Sequence, residues 1–287
     1  MSYCECHGHI FMDGADFRAA VKIHKEGPDT ALLTRRLQAL ASAGVVYYRD
    51  GGDNLGASAW ARAAAQDHGI EYRSCLFALH ARGQYGSIVG RAFDTAGDFR
   101  ALVGEAKAQK ADFVKLMVSG ILDFQCWGGL SGGGVELRLL PELVKIAHGE
   151  GFRVMAHVNG PERITAALEA GVDSVEHGYF MEEAQLRLLA QTGAVWVPTL
   201  AAVAAFAGRS GFTPGVAEET LRRQAQALRF ARELGALIAA GSDAGAVGVE
   251  PDRGIHREHA LLAACGLSRE EIAAGDRAIK ERFVYGA

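Results

Sequence analysis

The chain has 287 residues, an ordinary length for one α/β barrel, which typically needs about 250 residues. Hydrophobic residues make up 49% and charged residues 22%, so the composition is that of a globular protein and excludes a disordered one. The net charge is only −4 and neither sign forms a long run, which argues against a nucleic-acid or membrane partner.

Short apolar runs alternate with Ala/Leu/Arg/Glu-rich stretches along the whole chain. Eight runs predict strands: Tyr3–Gly8, Val45–Arg49, Tyr72–Leu79, Phe113–Val118, Arg153–Val158, Ser174–His177, Val195–Thr199 and Leu237–Gly241. The stretches between and after them predict helices: Thr30–Ala43, Ala57–His68, Phe99–Lys110, Leu137–Glu150, Glu162–Ala170, Glu182–Gln191, Ala217–Leu234, Ile255–Ala264 and Arg269–Phe283. Several helices end in a glycine directly before the next strand, as in Ala-Gly before Val45.

Strict β-then-α order indicates parallel strands joined by crossover helices. Eight such units favour a closed (β/α)8 TIM-type barrel, and we expect residues 1–287 to form this single domain. An open, doubly wound sheet is the alternative that the pattern leaves.

Residue types that bind metals fall at the ends of the predicted strands. They are His7 and His9 in CHGH, Lys115 in FVKLMVSG, His157 in VMAHVNG, His177 in SVEHG, and Asp243 in AAGSDAG. Barrel enzymes carry their chemistry at the C-terminal ends of the strands, so we expect these six residues to converge on one mouth. Because side chains alternate along a strand, a His-x-His pair points both imidazoles to the same face.

Lys115 is the unusual member of this set. A charged lysine is costly to bury in an apolar strand, and an ammonium group cannot bind a cation. Carboxylation by CO2 would convert it into an anionic oxygen ligand able to bridge two metal ions. A neutral or salt-bridged lysine is the alternative.

In these residues the sequence resembles the amidohydrolase superfamily, whose motif is HxH, a carboxylated lysine, His, His and Asp in the same strand order. The resemblance runs from His7 to the helix after Asp243, and GVVYYRDGGD, GVDSVEHG, VPTL, GSDAG and IHREHALLAACGLS add to it. The sequence looks most like the branch that contains imidazolonepropionases and Xaa-Pro dipeptidase-like enzymes. Lys115 favours the binuclear, dipeptidase-like group. Family members usually add a small β-sandwich, but only six residues precede His7, so we expect a barrel without it and homo-oligomerisation as one way to cover its surface.

The resemblance implies a metal-dependent hydrolase that cleaves an amide bond of a small linear or cyclic substrate. It implies that His7, His9 and Asp243 hold a deeper metal ion and that His157 and His177 hold an outer one. Carboxylated Lys115 and a hydroxide would bridge the two ions, with Asp243 as the general base. The donors suit Zn2+, with Mn2+, Fe2+ or Ni2+ admissible. Hydrolysis of a lactone, ester or phosphoester, a metal-dependent decarboxylase or isomerase, and a catalytically dead binding protein are the alternatives.

Residues that contact the substrate can only be nominated from the predicted mouth loops: Arg49, His80, Arg82, Tyr85, Trp127 and Tyr179. An arginine with a tyrosine could bind a substrate carboxylate. The glycine-rich stretch Gly128–Gly134 lacks the GK[ST] of a P-loop and is expected to be a mobile active-site loop.

The sequence also predicts a cytoplasmic protein. No apolar stretch approaches the roughly 18 residues of a membrane span, and the N-terminus MSYCECHGHI lacks the basic and apolar regions of a signal peptide. The five cysteines show no disulfide framework. Cys4 and Cys6 are not in a CxxC pattern and are weak candidates for zinc or redox chemistry.

Overall fold

A computed structural model describes residues 2–286. Its strands are β1 (Tyr3–Gly8), β2 (Val45–Asp50), β3 (Glu71–Ser74), β4 (Ala78–Ala81), β5 (Gly90–Phe93), β6 (Val114–Met117), β7 (Ile121–Leu122), β8 (Leu130–Ser131), β9 (Val154–Val158), β10 (Ser174–His177) and β11 (Val195–Val197). Its α-helices are α1 (Phe17–Ile23), α2 (Thr30–Ser42), α3 (Ala57–Ala64), α4 (Ala96–Ala108), α5 (Leu140–Gly149), α6 (Pro161–Ala170), α7 (Glu183–Thr192), α8 (Leu200–Ala204), α9 (Val216–Glu233), α10 (Gly254–Ala264) and α11 (Arg269–Arg282).

The helices begin and end where their sequences provide caps. Thr95 and Asp98 form a capping box at the start of α4, and Ser268 and Glu271 form one at the start of α11. The C-terminal end of α7 is Gly193, whose φ of 70° is left-handed, a conformation that glycine adopts without the steric cost of a Cβ.

Two parallel sheets form the centre of the molecule. One has the order β1-β2-β3 and the other the order β11-β10-β9-β6-β4-β5, and a two-stranded antiparallel ribbon of β7 and β8 lies outside them. Consecutive helices pack against one another, as α5 does with α4 and α6. The α/β class with parallel strands is therefore as the sequence predicts.

The predicted eighth strand is not a regular strand. Trp196 N donates to Leu237 O and Cys6 N donates to Ala240 O, both at 2.9 Å, so residues 237–243 lie between β11 and β1. Within residues 2–286 this segment makes only isolated bridges, at Ile238 and Ala244, because too few consecutive residues pair with either neighbour. The strands form two sheets with this segment between them, and one continuous eight-stranded ladder is not seen.

The predicted third strand, Tyr72–Leu79, is wrong as one element. The chain turns at Leu76, whose φ is 65°, and Phe77 N donates to Cys75 O at 2.8 Å. β3 on one side of the turn pairs with β2, and β4 on the other side pairs with β6. Five further elements, β5, β7, β8, α1 and α8, were not predicted, because each is short, with at most seven residues.

Candidate metal centre

His7 lies in β1 and His9 lies one residue beyond its end. The period-two alternation brings both rings to one side, where the Nε2 atom of each lies 3.2 Å from Lys115 Nζ. The three side chains are buried, with exposures of 0%, 5% and 1% for His7, His9 and Lys115. Gly51 makes this approach feasible, because a Cβ there would lie 2.5 Å from Lys115 Nζ and 2.4 Å from His9 Cε1.

Asp243 follows the segment between β11 and β1 and joins these two histidines. Its Oδ1 lies 3.7 Å from His7 Nε2 and 3.8 Å from His9 Nε2. The three potential ligand atoms lie within 4.8 Å of one another, close enough to share one ion. The backbone of Asp243 is anchored to β1, since its N–H donates to His7 O at 2.8 Å.

His157 and His177 lie at the C-terminal ends of the neighbouring strands β9 and β10. Their ring centroids are 4.6 Å apart, and the centroid of His177 is 4.9 Å from that of His7. The structure therefore brings the six residues nominated as metal ligands together, as two adjoining groups around Lys115.

One ring nitrogen of each histidine is hydrogen-bonded to an oxygen atom, which leaves the lone pair of the other nitrogen available to a metal ion. The pairs are His7 Nδ1 with Glu176 Oε2 at 2.7 Å, His9 Nδ1 with Gly52 O at 3.3 Å, His157 Nε2 with Gly120 O at 3.1 Å, and His177 Nδ1 with Thr199 Oγ1 at 2.7 Å. Such partners fix the tautomer and the ring orientation, as they do for histidines that bind metals.

Burial and the surrounding positive charge keep the imidazoles neutral. Burial lowers the pKa of His157 to about 3, with Lys115 as the second cause. The pKa values of the other three histidines are also lowered, mainly by burial. Neutral imidazoles keep the nitrogen lone pair that metal binding requires.

The pKa values of Lys115 and Asp243 also shift in the direction that favours the uncharged form. Burial lowers the pKa of Lys115, although Asp243 opposes this shift. Burial raises the pKa of Asp243 to about 6, and Lys115 opposes the rise. A neutral amine is the form of lysine that attacks CO2. A carboxyl group whose pKa lies close to neutral pH can accept and release a proton there.

Arg49 is not placed to bind a substrate. It is fully buried behind His7, and its guanidinium donates to Cys6 O, Ser174 Oγ and Glu176 Oε1. Its Nη2 lies 2.8 Å from Glu176 Oε1. The nomination of Arg49 was therefore wrong, because its donors are used to hold the carboxylate that orients His7.

The other nominated substrate residues differ in how near they lie to the centre. The Tyr85 ring is 5.0 Å from the His157 ring, and the Tyr179 ring is 5.7 Å from the His177 ring, with its hydroxyl bonded to Thr199. His80 pairs in register with Met117, two residues beyond Lys115.

Arg82 and Trp127 are more exposed than these three. Arg82 is paired with Asp94 on the surface, and Trp127 is 47% exposed under Arg223. Trp127 belongs to the loop between β7 and β8, and the glycine-rich stretch Gly128–Gly134 includes β8.

Sequence reasoning missed the groups that orient the ligands. Glu176 directly precedes a predicted ligand, and an acidic residue inside a predicted strand was a usable signal. Glu5 was missed too; it accepts from the backbone N–H of His7 at 3.2 Å and of Ser242 at 2.7 Å.

A model of the amidohydrolase family matches residues 7–275, and the chain belongs to this family. The resemblance read from the HxH, Lys, His, His and Asp pattern is thereby confirmed.

Solved structures share the fold at low sequence identity. An Xaa-Pro dipeptidase with methionine bound in its active site superposes with a TM-score of 0.76 and 20% identity over 100% of this chain and 77% of that one. The A. niger ochratoxinase superposes with a TM-score of 0.77 and 20% identity, over 99% of this chain and 71% of that one. Phenylurea hydrolase B superposes with a TM-score of 0.73 and 15% identity, over 99% of this chain and 75% of that one.

Curated relatives match over a shorter stretch. Uncharacterized proteins of Mycobacterium bovis and Mycobacterium tuberculosis are 32% identical over 139 residues, which is 46% of this chain and 37% of each relative. The matched stretch thus spans little more than a third of their length. In the part of the chain from 2 to 286, no helix is both long and apolar enough to cross a membrane.

Proposed function

We propose that the chain is a metal-dependent hydrolase that cleaves an amide C–N bond of a small linear or cyclic substrate. The observation that carries this proposal is the convergence of four oriented, neutral imidazoles and the Asp243 carboxylate around Lys115. Family membership adds support, and the neighbouring folds include enzymes described as a dipeptidase and an ochratoxinase.

The donor set fits two divalent ions. His7, His9 and Asp243 supply two nitrogens and an oxygen to one position, and His157 and His177 supply two nitrogens to a second. We propose that carboxylated Lys115 joins the two positions: its Nζ lies 3.2 Å from Nε2 of both His7 and His9 in the first position, and its charge also acts on His157 and His177 in the second. Nitrogen and oxygen ligands of this kind suit Zn2+, with Mn2+, Fe2+ and Ni2+ admissible.

Divalent ions held by these residues would supply an activated water as the nucleophile and would polarise the scissile carbonyl. Asp243, whose carboxylate lies beside His7 and His9, would accept the proton of the attacking water and deliver it to the leaving nitrogen. Tyr85, whose ring contacts that of His157, is the nominated residue best placed to touch the substrate.

We further propose that the whole chain acts as one domain and that residues 237–244 close its strands into a barrel. The hydrogen bonds from this segment to β11 on one side and to β1 on the other support closure.

The test combines metal analysis with a substrate screen. Protein purified with added Zn2+ or Mn2+ should hold close to two ions per chain and should hydrolyse members of a panel of dipeptides, N-acyl amino acids and hydantoins. Asp243→Asn is the matched inactive control. A metal content near zero, without activation on reconstitution, would refute the proposal, and hydrolysis of lactones or phosphoesters alone would refute the amide substrate.

A further inference from the structure

The backbone at His177 is strained. Its φ is 67°, and Gly178 N donates to Glu176 O at 2.9 Å, so His177 is the central residue of a three-residue turn of the classic γ type. This turn is rare, because a left-handed φ is costly for a residue with a Cβ. Such a conformation persists only where the surrounding structure holds it.

Two buried side chains donate hydrogen bonds to the carbonyl of His177. Trp196 Nε1 and Gln224 Nε2 each donate to His177 O at 2.9 Å. Trp196 is 0% exposed and Gln224 is 3% exposed. His177 is thus fixed at both ends, by its carbonyl through these two donors and by its ring through Thr199.

Gln224 is the unexpected member of this arrangement. It lies on α9, 47 residues beyond His177, on a face that also buries Thr220, Ala227, Leu228 and Ala231. An apolar residue would fill the same space without the cost of burying an amide. The hydrogen bond to the His177 carbonyl offsets the cost of burying that amide.

We infer that Gln224 is a positioning residue for the metal centre, which holds His177 in its strained turn so that the free ring nitrogen faces the outer metal position. The inference rests on the proposed function. Gln224 does not touch the ion or the reacting atoms; it acts through the His177 backbone, with Trp196 as the second donor to the same carbonyl.

The experiment measures metal binding to the metal-free protein, independently of activity. Gln224→Met keeps the length and volume of the side chain but removes its donor, and Gln226→Met, at an exposed position on the same helix, is the matched control. Titration with Co2+ in the presence of bicarbonate, followed by calorimetry and by the visible spectrum, should show about tenfold weaker binding of one of the two ions, the lower end of the effect seen when partners of ligands are lost. Trp196→Phe removes the indole N–H together with part of the buried ring system and should weaken the same ion.

Thermal unfolding of the metal-free variants separates positioning from simple stability. If Gln224→Met lowers the Tm but leaves both Co2+ affinities and the spectrum unchanged, the inference is overturned. If Gln224→Met does not fold, the result for Trp196→Phe decides by the same criterion. A wild-type protein that binds no divalent ion refutes the proposed function itself, whereas two wild-type sites with unaltered variants refute only the role of Gln224.

Discussion

The buried carboxylate behind His7 offers the sharpest test of how the centre is built. Glu176 is fully buried; its Oε1 lies 2.8 Å from Arg49 Nη2 and its Oε2 lies 2.7 Å from His7 Nδ1. In Glu176→Gln the side chain keeps its shape but loses its charge. The new amide NH2 group then faces another donor, which is either the Arg49 guanidinium or the His7 imidazole.

The structure sets the size of the effect. Arg49 has 0% exposure, so the substitution leaves a guanidinium charge without a counter-ion in the interior. Removing one partner of a buried ion pair costs about 3–5 kcal/mol of the free energy of unfolding. The surface pair Arg82–Asp94, with side-chain exposures of 64% and 52%, gives a control in Arg82→Ala, which should lower the stability far less than Glu176→Gln does.

The assay is urea unfolding of the metal-free protein at neutral pH, where Glu176→Gln should be about 3–5 kcal/mol less stable than the wild type. The double variant Arg49→Met with Glu176→Gln removes the unpaired charge and should recover much of that loss. After metal is added back, Glu176→Gln should bind one ion 10–100-fold more weakly, because His7 loses its orienting partner. A cost as small as that of Arg82→Ala, with no recovery in the double variant, would refute the pairing.

Four other predictions follow from the same structure. Lys115→Ala should lose one of two metal ions and most activity, with partial rescue by a small carboxylic acid but none for Lys115→Arg; a metal-loaded crystal structure with unmodified Lys115 turned away from the ions would contradict this. Asp243→Asn should reduce kcat by at least about 100-fold, since proton transfer typically contributes that much; near-normal kcat would exclude it as the base. Burial raises the pKa of Asp276 to about 7 from its ordinary 3.8, so the stabilisation present below about pH 4 is lost as the pH rises through about 7. Unfolding of metal-free Asp276→Asn, whose side-chain oxygen can still accept from Ala240 N, should therefore depend less on pH between 5 and 8, by at most about 3 kcal/mol, and an unchanged pH dependence would contradict the shift. If homo-oligomers cover the barrel surface, light scattering at tens of micromolar should give a mass above the 30.5 kDa of one chain, and a monomer would refute this.

The order of elements and the identity of the candidate ligands were accessible from the sequence. Strand and helix periodicities with glycine stops place β1 at Tyr3–Gly8 and β10 at Ser174–His177, as in the structure. Because parallel strands end at a common edge, residues such as His7 and His177 could be assigned to one mouth without coordinates. These are local patterns, which is why one sequence sufficed.

Tertiary structure alone decided how the centre is held. The turn at Leu76 splits a run that reads as one strand, because β3 and β4 find partners in different sheets. Arg49, which reads as a substrate residue after a strand, lies instead against Glu176, since nothing local specifies the neighbour of a buried charge. Gln224 donates a hydrogen bond to His177, which lies 47 residues earlier in the chain. Such a contact depends on how the helix packs against the sheet, and the periodicity of the sequence does not predict it.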